Sequence, residues 1–98
     1  MRIWLDDVRP MPDGFEVHCT TASEAIELLE QGQVTHMSFD HDLGEPENGT
    51  GYAVASWIES RAFDHSIPRI TWDVHSANPV GRRNIEAAMQ SAERFWSK

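Results

Sequence analysis

Cysteine is almost missing from this chain: Cys19 is the only one in 98 residues. No internal disulfide and no multi-cysteine zinc site can exist, and a reducing compartment is the expected setting. Positive charge is also scarce. Eight Lys and Arg stand against sixteen Asp and Glu, a formal charge of −8, which argues against a broad footprint on long duplex nucleic acid. A small phosphate site stays open, because a bound divalent cation can reverse the local sign. No apolar run approaches the roughly 18 residues that a membrane span requires. The opening Met1-Arg2-Ile3-Trp4-Leu5-Asp6-Asp7 turns acidic too early for a secretory leader. Repeats and low-complexity stretches are lacking too. A cytoplasmic location is the expectation.

What remains is ordinary for a globular protein: 40% apolar and 24% charged residues. The length suits one domain over 1–98 with a core of its own. Arg2 to Leu5 is a short apolar run closed by two aspartates, a first strand. Val8 to Gly14, with two prolines and Asp13-Gly14, is a loop. Phe15 to Cys19 alternates apolar and polar residues, a second strand. Thr21-Ala22-Ser23-Glu24 is a capping box. Ala22, Ala25, Ile26 and Leu29 then recur at helical spacing, and Gly32 marks the stop. Thr35 to Phe39 is a third strand. A second helix starts at Thr50, with Tyr52, Ala55, Ile58 and Ala62 on one face, and ends before Pro68. Arg69 to Val74 is a fourth strand, placed at an edge by Asp73. Asn78 and Pro79 open a last helix carrying Ile85, Ala88, Met89, Ala92 and Trp96.

Strands alternating with helices predict a mostly parallel sheet with right-handed crossovers. In such sheets ligands bind outside the carboxyl ends of the strands. Three clusters fall there: Asp6 and Asp7 after the first strand, Asp40, His41 and Asp42 after the third, and His75 and Ser76 after the fourth. Alone, each reads as a turn, a cap or a solvated loop. Together on one rim they concentrate carboxylates and imidazoles around one small molecule. Carboxylates are hard oxygen ligands suited to Mg²⁺ or Mn²⁺ with substrate phosphate completing the shell. Histidine exchanges protons near neutral pH, so His41 and His75 suit a general base and acid. Arg9 suits a bidentate phosphate clamp. The backbone N–H groups near Val80 and Gly81 suit a second anion site, with Arg82 one turn further in. His18, His36 and Cys19 carry no such signal.

Three motifs carry a resemblance: Leu5-Asp6-Asp7-Val8-Arg9-Pro10, Ser38-Phe39-Asp40-His41-Asp42-Leu43-Gly44, and His75-Ser76-Ala77-Asn78-Pro79-Val80-Gly81 with Asn84-Ile85. They resemble the cyclic-phosphate processing receiver-like domains of bacteria and phages, small relatives of the response-regulator receiver fold. The resemblance spans nearly the whole chain. It implies processing of 2′,3′-cyclic phosphates, such as those at RNA ends in repair settings. It implies that Asp6 and Asp7 are the acidic metal-binding pair, that Asp40 stands at the phosphoacceptor position, and that Ser76 lies near the receiver's hydroxyl residue. His41 and His75 mark the cyclic-phosphate variety. The chain departs from ordinary receivers in three ways. A loop from Val8 to Gly14 replaces the first helix, the fifth strand and helix are missing, and no lysine precedes Lys98.

The fold expected is a truncated, three-layer, flavodoxin-like α/β domain of about four parallel strands in the order 2-1-3-4. The function expected is metal-assisted hydrolysis of a cyclic phosphate on a nucleotide, a cyclic nucleotide signal or an RNA end. Asp6, Asp7 and Asp40 would hold Mg²⁺ or Mn²⁺, and Asp42 would ligate it or orient a histidine. Arg9, Ser76, Asn78, Gly81 and Arg82 would hold the phosphate. Two other readings compete: a binding module without turnover, and a phosphoacceptor receiver using Asp40, which the missing lysine disfavours. Phe95-Trp96 could serve a homodimer contact.

Overall fold

Thr21 and Glu24 start the first helix as expected. In the computed structural model, which describes residues 1–98, the Thr21 hydroxyl accepts from the Glu24 N–H while Glu24 accepts from the Thr21 N–H. Helix α1 runs Ala22–Glu30, and Gly32 follows at φ +75°, the left-handed conformation a helix exit needs. Helix α2 spans Gly51–Asp64, capped by Thr50. Helix α3 spans Pro79–Trp96, capped by Asn78 with Pro79 in its first turn.

Four strands complete the fold: β1 Arg2–Leu5, β2 Val17–Cys19, β3 His36–Phe39 and β4 Thr71–Val74. All pair in parallel, in the order β2-β1-β3-β4. β2 is shorter than expected, since Phe15 and Glu16 lie outside it, and β4 starts two residues late. The loop from Glu45 contains one 3₁₀ turn, Pro46–Asn48.

The register sorts the side chains into two faces, because paired residues of parallel neighbours point the same way. Ile3 aligns with Val17, Met37 and Trp72, and Leu5 with Cys19, Phe39 and Val74. These residues, most of them fully buried, join helix residues such as Ala25, Leu29, Val54, Ile58, Ile85 and Met89 in one apolar cluster. The core therefore lies on one face, beneath all three helices. Tyr52, expected on the buried side of α2, is exposed, and Val54 takes its place.

The other face carries Trp4 aligned with His18, Ser38 and Asp73, and Arg2 aligned with His36 and Thr71. Its cover is the Val8–Phe15 segment, not a helix. Trp4 Nε1 donates to the Arg9 carbonyl at 3.1 Å, and Arg2 Nε donates to the Gly14 carbonyl at 2.8 Å. Phe15 meets the Trp4 ring edge-on at 5.3 Å. Pro10 and Pro12 explain the missing helix, since neither offers a backbone donor. Phe95 and Trp96 pack within the chain: Phe95 against Phe63, and Trp96 donating to the Ile67 carbonyl.

Candidate functional site

Asp6 leaves the end of β1 fully buried. Its Oδ1 accepts from the backbone N–H groups of Val8 and Arg9, both at 2.8 Å. Its Oδ2 lies 3.0 Å from His75 Nε2. Burial alone would raise the Asp6 carboxyl, but these three donors outweigh it and hold it below the usual carboxylate range. Burial in turn pushes His75 below the usual imidazole value, against the pull of Asp6. At neutral pH the pair is thus a carboxylate beside a neutral imidazole. A carboxylate only accepts, so Nε2 bears the proton. His75 Nδ1 then accepts from the buried Ser38 hydroxyl, 2.7 Å away. The His75 ring lies flat on the Trp4 indole, centroids 3.8 Å apart and planes 5° apart.

Asp7 and Asp40 are half-buried beside Asp6, and oxygens of the three carboxylates lie within 4.8 Å of one another. Such crowding of like charge favours a cation. A carboxylate has about four acceptor positions. Asp6 uses three, for Val8, Arg9 and His75, and Asp40 uses one for the His41 N–H at 2.8 Å. Acceptor capacity remains for a hard divalent ion, and the donor set fits one.

His41 sits next to this group. Its Nδ1 lies 3.0 Å from Asp42 Oδ1, while Nε2 has no protein partner. The ring rests on α3 where Gly81 has no side chain, and a Cβ at Gly81 would overlap it. A Cβ at Gly51 would likewise overlap the Asp40 carbonyl oxygen. Two helix glycines therefore seat the Asp40–His41 turn from either side.

The three strand-end clusters thus meet, with Asp6, Asp7, Asp40 and His75 in direct proximity. Other expected residues are placed differently. His75, expected as a general acid or base, has both ring nitrogens engaged. The Val80 and Gly81 N–H groups donate to Asn78 Oδ1 at 3.1 and 3.0 Å, so the cap that starts α3 also occupies the expected anion donors. Arg82 points along its helix to Glu86 at 3.5 Å. The Ser76 hydroxyl accepts from the Asn78 N–H at 3.1 Å. Arg9 keeps spare donors: it is exposed, and only Nη1 is bound, to the His75 carbonyl at 2.8 Å.

Sequence reading missed three contributors. Ser38 entered only as part of a motif and Trp4 only as part of a strand, with no site role for either, yet both hold His75. His18 was set aside, yet its Nε2 lies 2.7 Å from the Asp6 carbonyl. Their signal was strand register: Trp4, His18 and Ser38 share one row. His36, also set aside, sits at the other end of β3 and bonds Thr71. The rim itself is shallow, since none of the four concavities of the surface is lined by Asp6, Asp7, Asp40, His41 or His75.

A parallel 2-1-3-4 sheet with an acidic cluster at its carboxyl rim defines a receiver-like α/β domain. The family described as the cyclic-phosphate processing receiver domain matches residues 1–91, and the chain belongs to that family. No curated protein and no solved structure matches it. No helix is long and apolar enough to cross a membrane.

Proposed function

We propose that the chain hydrolyses a cyclic phosphate, of the 2′,3′ type carried by nucleotides or RNA ends, with help from a divalent metal. The observation that carries this reading is the convergence of Asp6, Asp7 and Asp40 within 4.8 Å, beside a histidine with a free nitrogen, in a chain of this family.

Asp6, Asp7 and Asp40 would hold Mg²⁺ or Mn²⁺, which would supply polarisation of the phosphate. The Asp42 carboxylate accepts the Nδ1–H of His41, which leaves Nε2 as the base. Nε2 takes a proton from the attacking water, whose oxygen bonds to phosphorus. One ribose P–O bond breaks, and the departing oxygen takes a proton from solvent, which the shallow rim admits. The product is a phosphomonoester. Arg9 is the phosphate-binding side chain, because its guanidinium is exposed at the rim and mostly unbound.

The test is ³¹P NMR of 2′,3′-cyclic nucleotides and of an oligoribonucleotide ending in a 2′,3′-cyclic phosphate, each with the protein and Mg²⁺ or Mn²⁺. A metal-dependent monoester signal that EDTA abolishes is expected, and it should fall at least 100-fold in His41→Ala. Binding without product would instead make the chain a phosphate-binding module. Neither binding nor product would overturn the reading altogether.

A further inference from the structure

The geometry points to a division of labour between the two histidines: Ser38 and Trp4 hold His75 as a positioning residue for Asp6, and proton transfer belongs to His41. This deepens the reading above and depends on it only where metal or turnover is measured.

Four observations support it. Both His75 ring nitrogens are committed within the protein, to Asp6 at 3.0 Å and Ser38 at 2.7 Å. The Trp4 indole lies parallel against the ring and resists rotation out of that plane. The Arg9 guanidinium clips the His75 carbonyl at 2.8 Å, which fixes the backbone as well. Finally, no buried side-chain polar atom lacks a partner. Turning His75 toward a substrate would strand the Ser38 hydroxyl or an Asp6 oxygen, each in a buried residue.

The consequence lies in Asp6. Three donors hold both oxygens of its carboxylate, so the group's orientation is set before any ligand arrives. A carboxylate that ligates a metal is commonly oriented by such outer partners, whose loss weakens metal affinity 10- to 100-fold. His41, by contrast, has one nitrogen tied to Asp42 and one free, as a proton carrier requires.

The first experiment needs no variant and no metal. Long-range ¹H–¹⁵N correlation of the side chains at neutral pH should show His75 as a single Nε2–H tautomer with a slowly exchanging proton. His41 should show a fast-exchanging ring. A Nδ1–H form of His75, or a tautomer mixture, would overturn the inference whatever the protein's activity. Because Asp6 sets the tautomer, Ser38→Ala should keep Nε2–H but speed the exchange of that proton and weaken Mn²⁺ binding about 10-fold, while Ser38→Thr, which keeps the hydroxyl, should restore both. Wild-type proton exchange and Mn²⁺ affinity in folded Ser38→Ala would also overturn it.

Turnover separates the histidines further. His75→Gln retains a donor for Asp6 and should keep activity within about tenfold of the natural chain, well above His75→Ala. His41→Gln should lose at least 100-fold. Equal losses in His75→Gln and His41→Gln would return His75 to the role of proton carrier. A chain that binds no metal and yields no product, yet shows the Nε2–H tautomer, would sink the hydrolase reading and leave the positioning arrangement standing.

Discussion

The Trp4 indole and the His75 imidazole are stacked face to face, 3.8 Å between centroids, although β1 and β4 are not neighbours in the sheet. β3 separates them, and Ser38 on β3 completes the contact from beneath. The stack joins the two ends of the rim across an intervening strand. Truncating Trp4 to Ala removes the stack and the bond to the Arg9 carbonyl, and should cost about 3–5 kcal/mol of stability. Trp4→Phe keeps a ring against His75 and loses mainly the hydrogen bond, about 1 kcal/mol. Urea unfolding of the two variants checks the difference.

Two neighbouring aspartates should respond in opposite ways to the same change. In Asp6→Asn an amide must replace a carboxylate that accepts from Val8, Arg9 and His75. One buried donor then meets another donor, and stability should fall by about 1–3 kcal/mol. Asp7→Asn removes a half-buried charge from a repelling group, so metal-free stability should stay within about 0.5 kcal/mol or rise. Both should lose Mn²⁺ affinity. Thermal melts without and with Mn²⁺ read out all four values, and an equal loss of metal-free stability in both would contradict the placement of Asp6.

Gly81 offers a test in which helix propensity and site geometry oppose each other. Inside a helix, Gly→Ala ordinarily stabilises by about 1 kcal/mol. At Gly81 the added methyl would overlap the His41 ring. Gly81→Ala should therefore gain little stability and should displace His41, visible as changed His41 ring shifts and reduced turnover. Gly81→Ala with native His41 shifts would show that the ring does not rest there.

The start of α1 should sense acid. Bonds from the Thr20 and Thr21 backbone and hydroxyl groups hold the Glu24 carboxyl below its ordinary value of 4.5. A carboxyl depressed on folding contributes stability at pH values above its unfolded value, and that contribution disappears as pH falls through the folded value. The natural chain should thus be more stable than Glu24→Gln at pH 7, and the gap should close as the pH drops below about 4.5. A gap that stays constant with pH would rule out an ionised cap. Thr21→Ala should cost about 1 kcal/mol.

Cys19 should be inert. Burial, and secondarily the nearby Glu24, push its thiol up to about 11, and the side chain is buried in the core. Thiol reagents should label it only as fast as the chain unfolds. Stoichiometric labelling of the folded protein within minutes would show that the residue is accessible.

Much of this architecture was legible beforehand, and the reasons differ by element. The capping box at Thr21, the stop at Gly32 and the Asn78-Pro79 start are local signals, decided by atoms a few residues apart, and they appear as read. The shared rim followed from topology, since parallel strands place all their carboxyl ends together. Less legible were choices between two uses of one group. Asn78 reads equally as a helix cap and as a phosphate ligand, and the cap takes the Val80 and Gly81 donors. Arg82 could face a ligand or Glu86, and the helical spacing of four decides. Tyr52 fits the apolar period of α2, yet Val54 and Gly51 take the inward positions. Ser38 and Trp4 were invisible as site residues because their role depends on the β1–β3 register, which no single segment encodes.

Gly51 and Gly81 open two helices, α2 and α3, that pack along one another. One bears the Asp40 carbonyl and the other the His41 ring. Adjacent residues of a single turn are therefore wedged between two rods that share a seam. The Asp40 carbonyl has no room to move toward α2 and the His41 ring none toward α3, so the position of this turn is set by how closely the two helices pack.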